Sequence, residues 1–484
     1  MEMDTVLMRK NSIRIFFINE GSDNIVIKNV IFKNGNSNGG GAILWRGNCG
    51  ILENNQFISN SASNIGGALY LDAPNAKLIN NYFYNNRALT ISGGAIYISS
   101  KSTNIVVSDN TFDKNDAATC CAGIVWSKAQ GTLTNNIFTN NYVGESGAGL
   151  YYDGANGKIF NNTFSGNIAD GSGGAIYLEC DWVEFIQNTL TDNYANTGGA
   201  MRWKGNGGTA TNNIYSNNRA VNNGGAMFWN GNDAILRNNQ FTNNVAQSTA
   251  AGALLFNGNN NQIISNSFTT NTATTYGGAM YISGSSNKLN ENTFNKNTAG
   301  KSGEAFYFEG ANGQTTSNQF INNNGNGVGA IRWEGNSASI TQNTFSGNTN
   351  GYIIYGDESG ATVSSNTFLN SKESDNCIRW NNGDARINNN IYRQGTPIDD
   401  SVVTLKCEDL TKYYGGTQRL EISLLDKNNI GIPNIDVNIF INGVSNLRTT
   451  DSAGKISIGI NLNPNEYDTK ILQCKDTIWK KTSK

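Results

Sequence analysis

"GGAMRWKGN", residues 198–206, decides the fold, and taken alone it admits several readings. Gly198 and Gly199 could open a phosphate-cradling loop with Arg202 and Lys204 as charge partners, and Trp203 could be a stacking platform for a sugar or a base. The rest of the chain supplies another answer. The same pattern returns as GGAILW (40–45), GGALYL (66–71), GGAIYI (93–98), CAGIVW (121–126), GAGLYY (147–152) and GGAIYL (173–178). It continues as GGAMFW (224–229), AGALLF (251–256), GGAMYI (277–282), GEAFYF (303–308), VGAIRW (328–333), NGYIIY (350–355) and DNCIRW (375–380). Thirteen steps lead from Ala42 to Cys377, a mean period of about 26 residues, which is the size of a solenoid coil. A phosphate loop would open a helix, and no helical spacing follows any of these segments.

A second motif keeps step with the first: Asn, any residue, an aromatic, two residues, Asn. Asn55-Gln-Phe57-Ile-Ser-Asn60, Asn136-Ile-Phe138-Thr-Asn-Asn141 and Asn292-Thr-Phe294-Asn-Lys-Asn297 are examples. Tyr215, Tyr392 and Leu190 take the aromatic place in three coils, and Phe32 opens the series. The apolar segments are short, alternating and β-branched or aromatic, and Gly and Asn break them, which reads as strand and turn. The fold class expected is all-β: a right-handed parallel β-helix (pectin-lyase-like) of about 14–15 coils with three strands per coil.

Within a coil, the residue after the Ala and the one two further on share a face by period-two alternation, as Met201 and Trp203 do, and their uniform apolarity puts them inside. Gly47, Gly154, Gly205, Gly231, Gly258, Gly310 and Gly335 follow in a turn where positive φ is expected. The Asn two residues before each Phe (Asn81, Asn110, Asn162, Asn239) is read as a stacked ladder residue that also tolerates a left-handed bend. Most of the asparagine is therefore architectural.

Composition narrows the chemistry. The 484 residues contain no histidine, which removes a Ser-His-Asp triad, a Cys-His pair and any imidazole base. A net charge of −2 offers no basic field for nucleic acid or an anionic membrane. Seven cysteines without C-x-x-C spacing make neither a metal site nor a disulfide framework, and pairing of Cys407 with Cys474 stays open. No cofactor and no metal are expected. No stretch reaches the roughly 20 apolar residues of a membrane span. The start, "MEMDTVLMRKNSIRIFFINEG", is no export signal, so the expectation is either a cytoplasmic protein or a truncated reading frame.

After Tyr392 the period stops. The β-helix is assigned to residues 1–396, Pro397 and Asp399-Asp400 form a linker, and longer alternating strands over 401–484 read as a small immunoglobulin-like β-sandwich, possibly incomplete. Asp426, Gly431, Pro433, Val437, Asn442-Gly443, Thr449-Thr450-Asp451, Gly454, Asn461-Leu462, Pro464 and Tyr467 resemble the tandem repeat domain of archaeal adhesin-like surface proteins. The helical part is similar to the same family and to the polymorphic outer-membrane protein repeat, marked by GGA-I and F-x-x-N. The tail "QCKDTIWKKTSK" departs from the pattern, and the membrane barrel that ends the outer-membrane relatives is missing. The resemblance implies a secreted, surface-anchored protein that binds polysaccharides or neighbouring cells, here as a monomeric rod.

Function is sought at the outward position of the first strand, which nothing structural dictates. It carries Tyr70, Tyr97, Tyr151, Tyr177, Arg202, Tyr281, Tyr307, Arg332 and Arg379, an exposed strip whose ring faces suit sugars. Leu44, Val125, Phe228, Leu255 and Ile354 hold the same place elsewhere; tyrosine is also simply a good strand former. Two positions on runs a charged row: Arg46, Asp72, Asp153, Glu179, Lys204, Glu309 and Glu334. Asp153 and Glu179, about 5 Å apart on consecutive coils, with Arg202 on the next, would suit a glycosidase or polysaccharide lyase. The bland alternative is a surface charge ladder pairing Glu179 with Lys204 and Glu334 with Arg332. The function expected is non-catalytic glycan or cell binding, with the enzyme and a passive stalk as alternatives.

Overall fold

The computed structural model describes strand Thr5–Met8, residues 13–369 except 128–129, 326–327 and 349–350, and residues 377–393. In the C-terminal part it describes 404–407, 410, 417–426, 429–433, 435–441, 444–459 and 469–473. Two compact units emerge, Met1–Tyr392 and Arg393–Lys484. The Pro397 linker and Cys474 lie outside the described residues.

The first unit is a parallel β-helix. Three long sheets run along it: a Gly-Gly-Ala sheet of 15 strands, a middle sheet of 15 and a phenylalanine sheet of 16. Every strand pairs in parallel with its counterpart one coil away, as Met201, Arg202 and Trp203 do with Met227, Phe228 and Trp229. Strands are three or four residues long because a coil turns after each, so one or two side chains per strand reach the interior. A fourth sheet, of 11 short strands, was not expected from the three-strand coil. Its strands, such as Arg87–Ala88 and Arg219–Ala220, follow the F-x-x-N Asn and bury a small residue: Ala62, Ala88, Ala195, Ala220, Ala246. Its signature, F-x-x-N-x-A, was legible in the sequence.

Inside, like stacks on like. Phe32, Phe57, Phe83, Phe112, Phe138 and Phe164 form one column, with Phe138 and Phe164 4.6 Å apart and 5° from parallel. Leu190 interrupts it, and Tyr215, Phe241, Phe268 and Phe294 resume it. The coil repeat imposes this near-sandwich stacking, and each fully buried ring contributes about 1.5–3 kcal/mol of burial energy.

The asparagines form two ladders. One runs from Asn55 through Asn81 and Asn110 to Asn390, and the other from Asn60 through Asn86 and Asn115 to Asn348. A typical member, Asn218, accepts from the Asn193 backbone N–H (3.1 Å) and side-chain amide (3.0 Å). It donates to the Leu190 carbonyl (2.9 Å) and to Asn244 (3.0 Å). The left-handed residue is the neighbour and not the ladder Asn: Asn54, Asn80 and Asn212 precede the first ladder, and Ser59, Asn85 and Asn217 the second, all with φ of 52–56°. Bend and ladder are thus divided between adjacent residues, where the sequence pattern predicts one residue for both.

The glycine expectation needs a parallel correction. Gly205, Gly231 and Gly258 do not adopt positive φ; they are glycine because coils touch there. A Cβ on Gly231 would lie 1.7 Å from the Gly205 carbonyl oxygen. In the opening segment Gly198 has φ of 61°, and a Cβ on Gly199 would meet the Gly225 carbonyl at 2.1 Å.

The second unit has two three-stranded antiparallel sheets. Strands Thr404–Cys407, Arg419–Leu425 and Lys455–Gly459 form one; Val444–Thr449, Asp436–Ile441 and Thr469–Gln473 form the other. Leu420, Ile422, Leu424, Val437, Ile439, Ile456 and Ile458 make a core of its own. Motif residues hold its turns: Asp451 accepts from the Ala453 and Lys455 N–H groups, and the Thr450 hydroxyl donates to the Ile432 carbonyl.

Candidate functional site

The outward position of each Gly-Gly-Ala strand faces away from the core between two buried neighbours, as Arg202 does between Met201 and Trp203. Register stacks these positions into one column: Tyr70 on Tyr97, Tyr151 on Tyr177, Tyr177 beside Arg202, Tyr281 on Tyr307, Tyr307 beside Arg332. The column also contains Tyr355, which pairs with Arg332 and Arg379. Ile354, expected outside, pairs with Ile331 and is buried. The coil around 350–355 is read one residue out of step in the sequence. A signal for the right register was present: an acid follows the outward tyrosine by two in Tyr70-Leu-Asp72, Tyr151-Tyr-Asp153, Tyr177-Leu-Glu179 and Tyr307-Phe-Glu309, and again in Tyr355-Gly-Asp357.

The strip is less exposed than expected. Tyr307 keeps 5% of its surface and Arg332 8%, because their neighbours cover them. Tyr70, Tyr97, Tyr151, Tyr177, Arg202 and Tyr281 are half-buried, and Arg379 is exposed. Ring faces are largely turned to one another: Tyr151 and Tyr177 stack at 5.4 Å and 8°, Tyr281 and Tyr307 at 5.0 Å and 3°. Tyr70 and Tyr97 meet edge to face at 5.6 Å. The groups left to solvent are chiefly ring edges, hydroxyls and the charged row.

That row is tied to the column. Glu179 accepts from the hydroxyl of Tyr151 in the preceding coil, from Tyr177 at 3.4 Å, and from the Lys204 ammonium at 2.7 Å. Partial burial raises the Glu179 carboxyl, but the Lys204 and tyrosine hydrogen bonds outweigh it and hold the group below the usual carboxylate range. Burial and the Glu179 bond together push the Tyr151 hydroxyl well up. Tyr281 with Glu309 and Tyr307 with Glu334 repeat the arrangement, both hydroxyls raised by burial first and by the carboxylate second. Tyr151, Tyr281 and Tyr307 are thus each bound to the acid of the following coil, and Tyr177 to that of its own.

Asp153, Glu179 and Arg202 fall on consecutive coils, as expected from the period. The Arg202 guanidinium lies over the Phe228 ring, 3.5 Å from its centroid, in the coil beyond, and burial lowers its pKa. Further along, Arg332 bridges Glu334 (2.7 Å) and Asp357 and lies 4.1 Å over Tyr355. Arg379 donates to the Tyr352 hydroxyl at 3.0 Å. Asp357, Tyr355 and Tyr352 join this second cluster without having been singled out in the sequence. Both expected ion pairs, Glu179–Lys204 and Glu334–Arg332, are present.

Among the described residues no group of three or more metal-capable side chains comes together, and no helix is long and apolar enough to cross a membrane. No curated protein matches the chain. Among solved structures it is similar to the crystal structure of Dettilon tailspike protein, at 10% identity and a TM-score of 0.25, over 83% of this chain and 72% of that one. A likeness that slight carries no argument about function. The family model of the right handed beta helix region matches residues 9–164, 148–301 and 239–368. With its coil period, parallel sheets and buried ladders, the chain belongs to the right-handed β-helix family.

Proposed function

We propose that this protein is a non-catalytic, adhesin-like protein of the cell surface or extracellular space, and that its β-helix binds polysaccharide along the Gly-Gly-Ala face. One observation carries the reading: the outward column of this sheet differs in kind from those of the other two long sheets. The phenylalanine and middle sheets mostly turn Thr, Gln, Ser, Ile and Lys outward, as in Thr163–Ser165, Gln240–Thr242 and Lys288–Asn290. The Gly-Gly-Ala sheet turns out tyrosine and arginine fixed to carboxylates, an arrangement of preset donors and acceptors at a spacing of about 4.8 Å. Recognition through hydroxyls, guanidinium groups and carboxylates fits this face better than stacking on its tyrosine rings, whose faces cover each other. The C-terminal unit is read with it as an immunoglobulin-like surface module.

A glycan array tests the proposal. The full chain is expected to retain at least one polysaccharide class, and the triple variant Tyr151→Ser, Tyr177→Ser, Tyr281→Ser to lose binding by about tenfold or more. Absence of any bound glycan, or equal binding by the variant, leaves a passive stalk as the better account. Cleavage at Asp153, Glu179 and Arg202 is assayed on the same polysaccharides through reducing ends and unsaturated products. Activity abolished by Glu179→Gln overturns the non-catalytic reading.

A further inference from the structure

Trp182 is unusual on two counts. Trp45, Trp126, Trp203, Trp229 and Trp333 are all buried, whereas Trp182 keeps 59% of its surface open. It also sits in the left-handed region, with φ of 58°, in the turn between strands Ile176–Leu178 and Glu184–Ile186. The equivalent position in neighbouring coils is Asn156, Gly207, Asp233 and Asn260, residue types that accept this backbone. A bulky side chain there is a genuine outlier, and such strain tends to persist where it is used.

The indole has a prepared seat. A Cβ on Gly207, in the next coil, would lie 2.3 Å from indole Cε3 and Cζ3, so the ring rests against bare backbone. The backbone N–H of Trp182 donates to the Asn206 carbonyl at 2.9 Å, and the Asp181 carboxylate accepts from the Asn206 backbone N–H at 2.7 Å, which ties the turn to the next coil. The same coil carries Glu179 with its Lys204 partner, and the next strand of the coil begins with Glu184, paired to Lys158 at 3.7 Å. A single indole among polar groups is far short of the roughly 1,200 Å² that a stable protein interface buries, but it matches one sugar ring. The carboxylates of Glu179, Asp181 and Glu184 outnumber Lys204 and Lys158, so uronates and sulfated sugars meet like charge.

We infer that Trp182 is a stacking platform for one hexopyranose of a neutral polysaccharide, whose C–H face lies on the indole while Asp181 and the Glu179–Lys204 pair meet its hydroxyls. The inference rests on the glycan-binding reading and adds to it a residue outside the tyrosine column and a ligand charge class. The test is affinity electrophoresis of the full chain in soluble β-glucan, galactan, mannan and polygalacturonate. Wild type is expected to be retarded by at least one neutral polymer and not by polygalacturonate. Trp182→Asn, which suits the left-handed position, is expected to melt no lower than wild type and to lose about tenfold or more in neutral-glycan affinity, with Trp182→Phe restoring part of it. Unchanged retardation of Trp182→Asn, no retardation of wild type by any neutral polymer, or preference for polygalacturonate overturns the inference. The two proposals fail separately. Binding lost in the tyrosine triple variant but kept in Trp182→Asn removes only the platform, and the reverse outcome removes only the column.

Discussion

The asparagine ladders and the tyrosine–arginine column are built on the same plan, one side chain per coil stacked on its counterpart, yet they have opposite tolerance for variation. Each ladder position is Asn in almost every coil, because its amide serves backbone groups of the adjacent coils that nothing else could reach. The outer column admits Tyr, Arg, Phe, Leu and Val, because solvent can satisfy whatever the neighbours do not. Repetition inside is enforced by unsatisfied hydrogen bonds; repetition outside is a choice, and departures from it are where function is to be sought.

The contrast breaks most readily at Asn218. Asn218→Ala strips partners from the buried Asn193 N–H and the Leu190 carbonyl, each worth about 1–3 kcal/mol when orphaned, for a loss of about 3–5 kcal/mol in urea unfolding. Tyr177→Ser, in the outer column, is expected to cost less than about 1 kcal/mol. Equal losses would erase the distinction.

Tyr215 sharpens it from the other side. It stands in the phenylalanine column, fully buried, and among the described residues its hydroxyl has no hydrogen-bond partner. Tyr215→Phe is expected to raise stability by about 1–2 kcal/mol, read as a higher urea midpoint, because it removes a desolvated hydroxyl and keeps the ring.

The smallest effect is electrostatic. Glu179 titrates below its ordinary range in the folded chain, so its contribution is present above the unfolded value of about 4.3 and is lost as pH falls through the folded one. With the carboxylate partly exposed, wild type should exceed Glu179→Gln by no more than about 1 kcal/mol at pH 7, and the gap should close in acid. A gap that persists at low pH would place its origin in packing.

The period and the inward apolar pair made the coil readable, since both follow from strand alternation and from the single side chain each coil can bury per column. What escaped lay where identity and conformation come apart. Gly205 was read through φ, but its reason is a carbonyl oxygen one coil away, a contact no local sequence displays. The ladder Asn was credited with a bend that its neighbour makes, as at Asn217 and Asn218. The burial of Tyr307 and Arg332 depends on side-chain conformers chosen between coils, which spacing does not determine. Trp182 was overlooked because a lone tryptophan in a turn has no period; its meaning appears only against the Asn, Asp and Gly that share its place.

The ladders also have a direction. Each Oδ1 accepts a backbone N–H from the preceding coil, which fixes every amide with its oxygen toward the N-terminus and one hydrogen toward the next Asn, the other going to a carbonyl of the preceding coil. Bonds aligned in this way polarise one another along the row, so a gap at mid-column weakens both halves, while a gap at an end weakens one. The two ends are consequently not equivalent as sites of growth. A coil added before the first needs only a backbone N–H, and the first coil indeed has Val30 and Gly35 at the ladder positions, donating their N–H groups to Asn55 and Asn60 respectively. A coil added after the last must bring an oxygen of its own. The rod starts without asparagine, whereas a coil added toward the C-terminus meets a ladder N–H that calls for an acceptor oxygen.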